Sequence, residues 1–374
     1  MKLTIERSIL LKSLSHVQGV VEKRTTVPIL ANIRLEAEST GLSLQATDMD
    51  LEIAENVVCD VSRSGQTTAP AHTLYDIVRK LPEGARVGLD HHAEKGELVL
   101  RSGRSRFVLK CLPVDDFPAM TGGTLPFSFT LQTADLRSLL ERTRFAMSTE
   151  ETRYYLNGIY FHAARSGGVD VLRAVATDGH RLARMEVPLP KGAEGIPGVI
   201  VPRKTVEELR PLLEEDTEGT AVSLSNSKIR FAFENAVLTS KLIEGTFPDY
   251  ERVIPADNDK VMEVNTKLFA EAVGRVSTVI ATDKARAIRL DVSRDGLVLS
   301  ASNTTTADNA VDELEASYDF TPLSIGFNSR YLLDILGQMA SETVRFAMFD
   351  SSSPTVVRET ADGSALYVLM PMRV

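Results

Sequence analysis

The chain has 374 residues, of which 43% are hydrophobic and 25% are charged, and its formal net charge is −9. This composition excludes a disordered or low-complexity chain, and the length predicts two or three domains at about 150 residues each. No apolar run reaches the roughly 18 residues of a membrane span, and the first residues lack the pattern of a signal peptide. We therefore expect a cytoplasmic protein without a membrane partner.

Few residues offer an anchor for a catalytic or metal site. The two cysteines, Cys59 and Cys111, lie in alternating apolar stretches, which predicts two reduced, buried thiols rather than a disulfide or a metal site. The phosphate-loop, dinucleotide, zinc-hydrolase and hydrolase-elbow motifs are absent, as is any CxxC pair. We expect no catalytic residue, no metal and no cofactor.

One pattern, in which a short apolar strand leads into an amphipathic helix, recurs along the chain. Apolar residues at i, i+3, i+4 and i+7 predict, in chain order, helices at 8–24, 72–81, 133–144, 203–213, 266–279 and 329–340. The alternating segments between them are typical of strands joined by short turns, which indicates antiparallel pairing with helices on one face. The predicted fold class is therefore α+β.

Landmarks at regular spacing divide the chain into three similar parts. The strand between the two helices of each part ends in small polar residues, at Ala46-Thr47-Asp48, Ala176-Thr177-Asp178 and Ala301-Ser302-Asn303. The offset is 130 residues from Thr47 to Thr177 and 125 from Thr177 to Ser302. This spacing predicts three domains, at 1–121, 126–250 and 258–374, with linkers near 119–124 and 254–259. The strand-helix-strands pattern occurs twice in each part, so each domain is a duplicated unit.

Positive charge concentrates in the predicted helices. These helices together carry a net charge of +6, so the rest of the chain, whose total is −9, carries −15. If the helices share a face, that face attracts a polyanion while the acidic remainder repels it. No base-reading module is visible and the chain has no Trp, which favours contacts with phosphates irrespective of base sequence. The alternative is that the helix surfaces are simply rich in Lys and Arg.

A polar turn and the C-terminus are the best candidates for a functional site. Thr177-Asp178-Gly179-His180-Arg181-Leu182 gathers a carboxylate, a glycine and an imidazole at a strand end, but no nucleophile stands at a recognised spacing. This pattern favours a binding site over a catalytic one. Met370-Pro371-Met372 follows a predicted strand at 366–369 and supplies two flexible thioethers, which are typical of adaptable peptide-binding surfaces.

Five sequence blocks together are specific to one family. They are residues 153–158, 176–182, 201–204, 246–250 and 370–373. They closely resemble the bacterial DNA polymerase III β subunits, the sliding clamps, and the resemblance extends from Met1 to Val374. It implies a non-enzymatic processivity factor without cofactors. In this family a head-to-tail homodimer closes a ring of six domains around double-stranded DNA, with helices lining the hole and antiparallel sheets outside.

The resemblance also implies roles for individual residues. The implied DNA-binding residues are Arg24, Arg79, Tyr154, Tyr155, Arg203 and Lys204. A pocket between the second and third domains is implied for a short peptide motif of the replicative polymerase, the clamp loader, other polymerases and repair proteins. Its matching residues are Leu156, Thr177, Gly179, His180, Arg181, Leu182, Pro248, Arg252, Val253, Asn328, Tyr331, Met370, Pro371, Met372 and Arg373. The implied dimer interface joins Phe107 and Leu109 to Val279 and Ile280 of the next subunit, with Arg101, Arg104 and Arg106 facing Asp308, Asp312 and Glu313.

Several residues depart from the family pattern. The run 304–307 is poor in acidic residues, Ala285 stands at a position for an aromatic residue, and His72 stands at one for a basic residue. Glu150 lies in the DNA-side loop without an evident role. Two alternative functions stay open: an enzyme with its site at His180, and a protein-binding scaffold that never encircles DNA.

Overall fold

The computed structural model describes residues 1–120, 123–215, 218–282, 285–303 and 305–374. Contacts among them divide the chain into two compact units. The first unit comprises Met1–Leu136, Pro190–Pro197 and Lys204–Leu242, and the second comprises Arg137–Leu189, Gly198–Arg203 and Ile243–Val374. The predicted end of the first domain at 121, the linker residues Thr121 and Gly122, and Thr304 of the acid-poor run lie outside the described residues.

Six α-helices occur in the described part of the chain. They are α1 (Arg7–Val20), α2 (Ala71–Lys80), α3 (Thr133–Arg144), α4 (Arg203–Glu215), α5 (Thr266–Val276) and α6 (Ser329–Leu336). The apolar spacing that predicts them is also what they bury: Leu10, Leu14 and Val17 of α1 are fully buried. All six predicted helices are therefore present, α3 with the predicted ends and the other five with shifted ends.

The shifted helix ends change where charge lies. The first helix was expected to reach residue 24, but extended backbone at Val21 ends α1 at Val20, so Lys23 and Arg24 follow the helix in an exposed segment. Helix α4 continues past Pro211 to Glu215, whereas α5 and α6 end three and four residues before their predicted ends. With these bounds the helices carry a net charge of +4 rather than the expected +6.

The strands are numbered in chain order. The first ten are β1 (Lys2–Glu6), β2 (Asn32–Glu38), β3 (Gly41–Thr47), β4 (Leu51–Val57), β5 (Asp60–Arg63), β6 (Gly65–Pro70), β7 (Arg86–His92), β8 (Glu97–Ser102), β9 (Ser105–Lys110) and β10 (Phe127–Leu131). The next eight are β11 (Gly158–Ser166), β12 (Val169–Thr177), β13 (Arg181–Pro188), β14 (Val199–Pro202), β15 (Thr220–Leu224), β16 (Lys228–Ala232), β17 (Ala236–Lys241) and β18 (Lys260–Asn265). The last eight are β19 (Ala287–Ser293), β20 (Gly296–Ser302), β21 (Asn309–Leu314), β22 (Ala316–Tyr318), β23 (Leu323–Asn328), β24 (Thr343–Met348), β25 (Thr355–Glu359) and β26 (Ala365–Leu369).

In the described part of the chain, four antiparallel sheets form the body of the two units. The first unit holds a five-stranded sheet in the order β5-β1-β7-β8-β9 and an eight-stranded sheet in the order β10-β15-β16-β17-β4-β3-β2-β6. The second unit holds a nine-stranded sheet, β14-β11-β12-β13-β26-β25-β24-β18-β22, and a four-stranded sheet, β21-β20-β19-β23. Neighbouring strands pair antiparallel, as the short turns predict.

Among the described residues, two ladders join strands of different sequence repeats. In the first unit β4 pairs with β17, from Leu51 opposite Ser240 to Glu55 opposite Ala236. In the second unit β13 pairs with β26, from Arg181 opposite Leu369 to Met185 opposite Ala365. Each large sheet therefore runs without interruption from one repeat into the next.

The polar turn that marks each sequence repeat has the same side-chain hydrogen bonds in all three. A side-chain oxygen of Asp48, Asp178 or Asn303 accepts hydrogen bonds from the backbone N–H groups two and three residues later, at 2.7 to 3.2 Å. The third turn is longer, because Asn303 N–H bonds to the carbonyl of Asp308 whereas Asp178 N–H bonds to that of Arg181. The repeated sequence thus encodes a repeated turn.

The cysteine prediction is wrong in one respect. Cys59 and Cys111 are free thiols, as expected, but both are half-buried rather than buried. Cys59 lies in the loop after β4 and Cys111 directly follows β9, so neither occupies an inward-facing strand position.

In the described part of the chain, no helix has the length and apolar character needed to cross a membrane.

Candidate partner-binding and DNA-binding sites

A cluster of buried apolar side chains in the second unit contains two of the predicted partner-binding residues. Leu156 and Leu182 belong to this cluster, which we call the apolar floor. Its other members, which the sequence patterns did not indicate, are Val175, Ile200, Phe247, Tyr250, Val356, Leu366 and Val368. An apolar ligand that rests on a surface backed by such side chains can be desolvated without burying polar groups.

The polar turn between β12 and β13 presents His180 to solvent. Thr177 Oγ1 donates to the carbonyl of Arg181 at 2.7 Å and accepts from the N–H of Gly179 at 3.1 Å. Gly179 has φ +88°, in the left-handed region that favours glycine, and a Cβ there would also lie 2.7 Å from Nη1 of Arg153. The backbone conformation therefore favours glycine at position 179, whereas the Arg153 side chain could move aside for a larger residue.

Arg181 is the structural centre of this turn, with a side chain only 9% exposed. Its Nε donates to Asp178 Oδ2 at 3.1 Å, Nη1 to Asp334 Oδ2 at 2.5 Å, and Nη2 to the carbonyl of Phe145 at 2.6 Å. A buried guanidinium is stable only with its hydrogens paired in this way. Arg181 therefore ties the turn to α6 and to the end of α3, and its guanidinium is committed to the fold.

Tyr331 lies beside this guanidinium at the start of α6. The Cζ atom of Arg181 lies 4.3 Å from the centroid of its ring, and the ring of His180 stacks on it at 6.2 Å. Asn328 caps α6 by accepting from the N–H groups of Arg330 and Tyr331, and its Nδ2 donates to the carbonyl of Ala285 at 3.2 Å. Burial raises the pKa of Tyr331, so the phenol stays protonated.

The C-terminal segment 370–374, which we call the C-terminal strap, lies across the second unit. The N–H of Met370 donates to the carbonyl of His180 at 3.0 Å, and the N–H of Met372 donates to that of Gly326 at 2.8 Å. The side chains of Met370, Arg373 and Val374 are exposed, while Pro371 and Met372 are half-buried. The predicted turn and the predicted C-terminal residues therefore lie together, as the resemblance implies.

The segment that follows β17 combines buried anchors with exposed predicted residues. Phe247 and Tyr250 are buried in the apolar floor, whereas Pro248, Arg252 and Val253 are exposed. The side chain of Arg252 is 84% exposed and pairs only with Asp249 of the same segment among the described residues, at 2.7 Å. Such an exposed ion pair restrains Arg252 only weakly, so its side chain can contact a ligand.

Glu150, unexplained by the sequence, holds Arg153 in place. Its two carboxylate oxygens accept from Nη2 and Nε of Arg153 at 2.6 and 2.7 Å, which is a forked, bidentate geometry. The hydrogen bond from Arg153 lowers the pKa of Glu150, so the pair stays ionised near neutral pH. Because Arg153 also contacts Gly179, Glu150 connects the segment before Tyr154 to the polar turn.

Three of the predicted DNA-binding residues belong to the first unit. Arg24 is exposed and has no ion-pair partner among the described residues, and Arg79 is exposed beside Asp76 at 3.1 Å. Lys204 donates to Asp48 at 2.7 Å, to Glu22 at 2.5 Å and to the carbonyl of Val20 at 2.9 Å. Burial lowers the pKa of Lys204, but the hydrogen bonds to Asp48 and Glu22 outweigh it and raise the pKa overall.

Arg24 and Lys204 line a common surface cavity of about 580 Å³. Lys23 and His72 also line it, so three cationic side chains and an imidazole surround this cavity, together with Glu22. The ring nitrogens of His72 lie 3.0 Å from Gln18 Oε1 and 2.9 Å from the carbonyl of Val21. These contacts hold His72 against α1 and its C-terminal end.

The other three predicted DNA-binding residues belong to the second unit. Tyr154 is exposed, while Tyr155 is half-buried against the apolar floor, and their rings lie 5.8 Å apart in an edge-on arrangement. Arg203 is half-buried, and its Nη2 donates to the carbonyls of Met147 and Ser148 at 2.7 and 3.0 Å. Tyr154 is therefore the one of the three whose side chain is directly accessible.

The predicted dimer residues lie in or near two strands that end their sheets. β9 and β21 each have a neighbour on one side only among the described residues. Leu109 and Ile280 are already buried within their own units, and Phe107 and Val279 are half-buried. Arg275 pairs with Asp312 at 2.8 Å, so one of the expected acidic partners is engaged within the chain.

Family models for the three domains of the DNA polymerase III beta subunit match nearly the whole chain. The N-terminal domain matches residues 1–121, the central domain residues 130–249 and the C-terminal domain residues 251–373. The chain belongs to the DNA polymerase III beta subunit family, the beta sliding clamps. This membership confirms the predicted clamp fold, the predicted function as a DNA sliding clamp and the prediction that the protein is not an enzyme.

Curated relatives align with this clamp from end to end. It is 53% identical to the beta sliding clamp of Caulobacter vibrioides strain NA1000 over 374 residues, and 41% identical to that of Pseudomonas aeruginosa, with 100% of each chain covered. It is 39% identical to the beta sliding clamp of Escherichia coli strain K12 over 376 residues, again with both chains fully covered. A clamp of this kind binds DNA, works with a polymerase and self-assembles.

Solved clamps share its fold closely. A crystal structure of the Caulobacter crescentus clamp, with polyethylene glycol bound to a putative beta-motif tethering region, has a TM-score of 0.96 and 53% identity, covering 100% of this chain and 99% of the other. A Bartonella birtlesii clamp bound to griselimycin has a TM-score of 0.95 and 48% identity, with full coverage of both chains. Nothing in these comparisons favours the enzyme or the non-encircling scaffold.

Several residues of the clamp were missed because only the fold brings them to the site. Asp334 and Phe145, which hold Arg181, are 153 and 36 residues from it along the chain. The exposed Val108 and Val311, on the two sheet-ending strands, were not among the predicted dimer residues. Alternation along β9 from Phe107 was the available signal for Val108, since neighbouring strand residues face opposite sides.

Proposed function

We propose that the chain forms a head-to-tail homodimer that closes a ring of six domains, three per subunit at 1–121, 126–250 and 258–374, around double-stranded DNA. The observation that carries the proposal is the match between β9 and β21. The exposed side chains of β9 are Ser105, Arg106, Val108 and Lys110, and those of β21 are Asn309, Val311 and Glu313. An unpaired strand edge favours pairing with another strand, and these faces are complementary in charge and apolar contact.

The ring explains why the clamp needs no base-reading module. Weak contacts between cations and phosphates let a protein slide, while closure prevents its escape. Of the six proposed DNA-binding residues, the exposed Arg24, Arg79 and Tyr154 make direct contacts. The half-buried Tyr155, Arg203 and Lys204 support that surface through their own hydrogen bonds and packing. The clamp acts in the cytoplasm, where bacterial DNA is replicated.

The apolar floor and the C-terminal strap form the proposed partner pocket. It takes a short peptide motif of the replicative polymerase, the clamp loader, other polymerases and repair proteins. Aliphatic or aromatic peptide side chains lie over the floor, while the flexible Met370 and Met372 adapt to them. Arg252, Arg373 and Asn328 orient the peptide, whereas Arg181 shapes the pocket from below. The Caulobacter clamp's occupied tethering region and the griselimycin-bound Bartonella clamp support a ligand site in this family.

Retention on circular DNA tests the ring. The clamp is loaded onto a nicked circular plasmid with its clamp loader and ATP, and free protein is removed by gel filtration. We expect the clamp to stay with the circle and to leave after a single restriction cut, because linear DNA has open ends. A linear DNA blocked at both ends by biotin-bound streptavidin is the matched control and should retain the clamp. Equal retention on open linear DNA would contradict encirclement.

Removal of residues 370–374 tests the pocket. The probe is a hexapeptide that is capped at both ends, carries a neutral, pH-insensitive BODIPY dye and is free of titratable groups, and its last two residues are leucine and phenylalanine. The truncation should abolish binding of this peptide, because it removes Met370 and Met372, and should leave the dimer intact in analytical ultracentrifugation. Undiminished peptide affinity of the truncated clamp would place the pocket elsewhere.

A further inference from the structure

One wall of the proposed pocket is fixed to the sheet beneath it by a single phenol. Tyr250 begins the short 3₁₀ helix Tyr250–Val253, whose last two residues, Arg252 and Val253, are exposed at the pocket. The ring of Tyr250 is buried in the apolar floor, and Phe247 packs against it with ring centroids 6.4 Å apart. The position of Arg252 and Val253 therefore depends on where the buried Tyr250 is held.

The hydroxyl of Tyr250 sits between two side chains of the nine-stranded sheet. Nη1 of Arg173 on β12 donates to it at 3.0 Å, and Nε2 of His162 on β11 lies 2.9 Å from it. Arg173 is buried, and it also donates through Nε to Glu186 on β13 and through Nη1 to Glu251, each at 2.5 Å. The network thus reaches from three strands to the 3₁₀ helix.

The hydrogen positions in this network follow from the partners. Nδ1 of His162 lies 3.0 Å from the carbonyl of Ala163, which can only accept, so Nδ1 carries a hydrogen. In a neutral imidazole Nε2 is then an acceptor and takes the hydroxyl hydrogen of Tyr250, whose oxygen accepts from Arg173. Each donor meets one acceptor. A second proton on His162 would place a hydrogen on Nε2, facing the hydroxyl hydrogen, and would remove the only acceptor of that hydroxyl among these groups.

We propose that His162 and Arg173 are positioning residues of the partner pocket, that they act through Tyr250, and that His162 does so only while its imidazole is neutral. This inference rests on the proposed pocket. Protonation of His162 releases the Tyr250 hydroxyl, the 3₁₀ helix loosens, and Arg252 and Val253 leave their binding positions. Peptide binding by the clamp therefore weakens in mildly acidic solution.

The charged groups around His162 act in opposite directions, because Arg173 lowers its pKa whereas Glu251 and Glu186 raise it. Arg173 on β12 shares the Tyr250 hydroxyl with it as a cation, Glu186 and Glu251 pair with Arg173 as carboxylates, Arg184 on β13 pairs with Glu186, and the ring of Tyr160 stacks on His162 at 4.7 Å. Burial lowers the pKa of His162 from its ordinary value of 6.5, the Ala163 carbonyl opposes this effect, and Arg173 adds to it. Because the pKa is lowered, the neutral imidazole and its hydrogen bond to Tyr250 persist to pH values below 6.5 and are lost as the pH falls further.

The first test is the pH dependence of binding of the capped, uncharged hexapeptide, measured by fluorescence anisotropy from pH 8 to pH 5.5. Loss of one network hydrogen bond predicts that the dissociation constant of the wild-type clamp rises about three- to tenfold over this range. His162→Gln, which supplies a neutral acceptor, should bind like the wild type at pH 8 and lose most of this dependence. Tyr250→Phe should bind at pH 8 as weakly as the wild type does at pH 5.5.

Two matched variants separate this network from other groups. His180→Gln removes the exposed imidazole of the same pocket and should keep the pH dependence of the wild type. Tyr318→Phe removes a hydroxyl that donates to the carbonyl of Thr321, and it should keep both the affinity and the pH dependence. If the pH dependence disappears in His180→Gln and persists in His162→Gln, the proposal is wrong.

A second measurement does not require a peptide. Hydrogen exchange of residues 246–254 in the free clamp is compared between the wild type and His162→Gln at each pH, so that intrinsic exchange rates cancel. In the wild type only, protection of this segment should decrease as the pH is lowered. If the peptide does not bind at pH 8 but protection changes as expected, the proposed position of the pocket is wrong. The proposed hydrogen-bond network around Tyr250 is then still supported. Equal protection in the two proteins at every pH overturns the anchor itself.

Discussion

Gly326 and Met372 are so close that position 326 has no room for a side chain. A Cβ on Gly326 would lie 2.6 Å from the carbonyl oxygen of Met372 and 2.5 Å from Cγ1 of Val374. The contact lets the N–H of Met372 reach the carbonyl of Gly326 and holds the C-terminal strap in place. A backbone atom cannot give way as a flexible side chain can, so any substitution at Gly326 must displace the strap.

We therefore predict that Gly326→Ala weakens binding of the labelled hexapeptide about tenfold or more, the magnitude typical of losing a well-placed anchor. The midpoint of urea unfolding should change little, because the strap adds little buried surface. Ser324→Ala, two residues earlier on the same strand, is the matched control and should leave the affinity unchanged. Equal affinities for the two variants would remove the strap from the pocket.

Two arginines of the predicted pocket should differ sharply in their effect on stability. Arg181→Met leaves Asp178 and Asp334 without their buried partner, and we expect a loss of about 3 kcal/mol in the free energy of unfolding. Arg252→Ala removes an exposed ion pair and should cost about 0–1 kcal/mol. Urea titrations of both variants measure these values, and similar losses would contradict the assignment of Arg181 to the fold.

Arg24 and Lys204 should differ in their effect on DNA binding. Arg24→Ala should lower the slope of log affinity against log salt by about 0.9, the contribution of one phosphate contact. Lys204→Ala should leave that slope nearly unchanged and lower stability instead, because Lys204 is engaged by Asp48 and Glu22. Anisotropy of a short labelled duplex over a series of KCl concentrations measures both slopes. A larger slope change for Lys204→Ala would reverse the proposed roles.

The exposed valine on β21 should be needed for self-assembly. Val311 is 65% exposed, and we expect Val311→Lys to dissociate the dimer at micromolar concentration, because it places a cation opposite the basic face of β9. Val169→Lys alters a side chain that is 61% exposed and lies at the start of β12, away from β9 and β21 in the sheet order, so this variant should remain dimeric. Sedimentation velocity distinguishes the two masses. A dimeric Val311→Lys clamp would exclude β21 from the interface.

Most of the correct predictions about the fold came from patterns of residues that are close together in the sequence. The positions of the six helices and the repeated turn at Asp48, Asp178 and Asn303 depend on neighbours within a few residues, and these predictions are confirmed. Helix ends were less accurate, since the end of α1 is set by extended backbone at Val21 and no glycine or proline directly follows the helix. The prediction that both cysteines are buried is wrong, because the alternation of apolar and polar residues in the sequence continues past the ends of β4 and β9.

The site was only partly predictable, because its energetics come from distant residues. Family resemblance selected Arg181 and Lys204, but it could not show that both are held by carboxylates. Asp334 is 153 residues from Arg181, and Asp48 is 156 residues from Lys204. No periodicity or spacing links such pairs. The network of His162, Arg173 and Tyr250 was missed for the same reason, since its members span 88 residues.

The unbroken sheets set a lower limit on how small a working piece of this protein can be. A fragment cut after the first repeat would expose the N–H and C=O groups of β4 that now face β17, and one lacking the third repeat would expose those of β13 that now face β26. Unpaired strand edges of this kind favour hydrogen bonding between strands of different molecules. Single repeats, although of ordinary domain size, should therefore precipitate when they are expressed alone, and the full chain is the smallest unit suited to biochemical study.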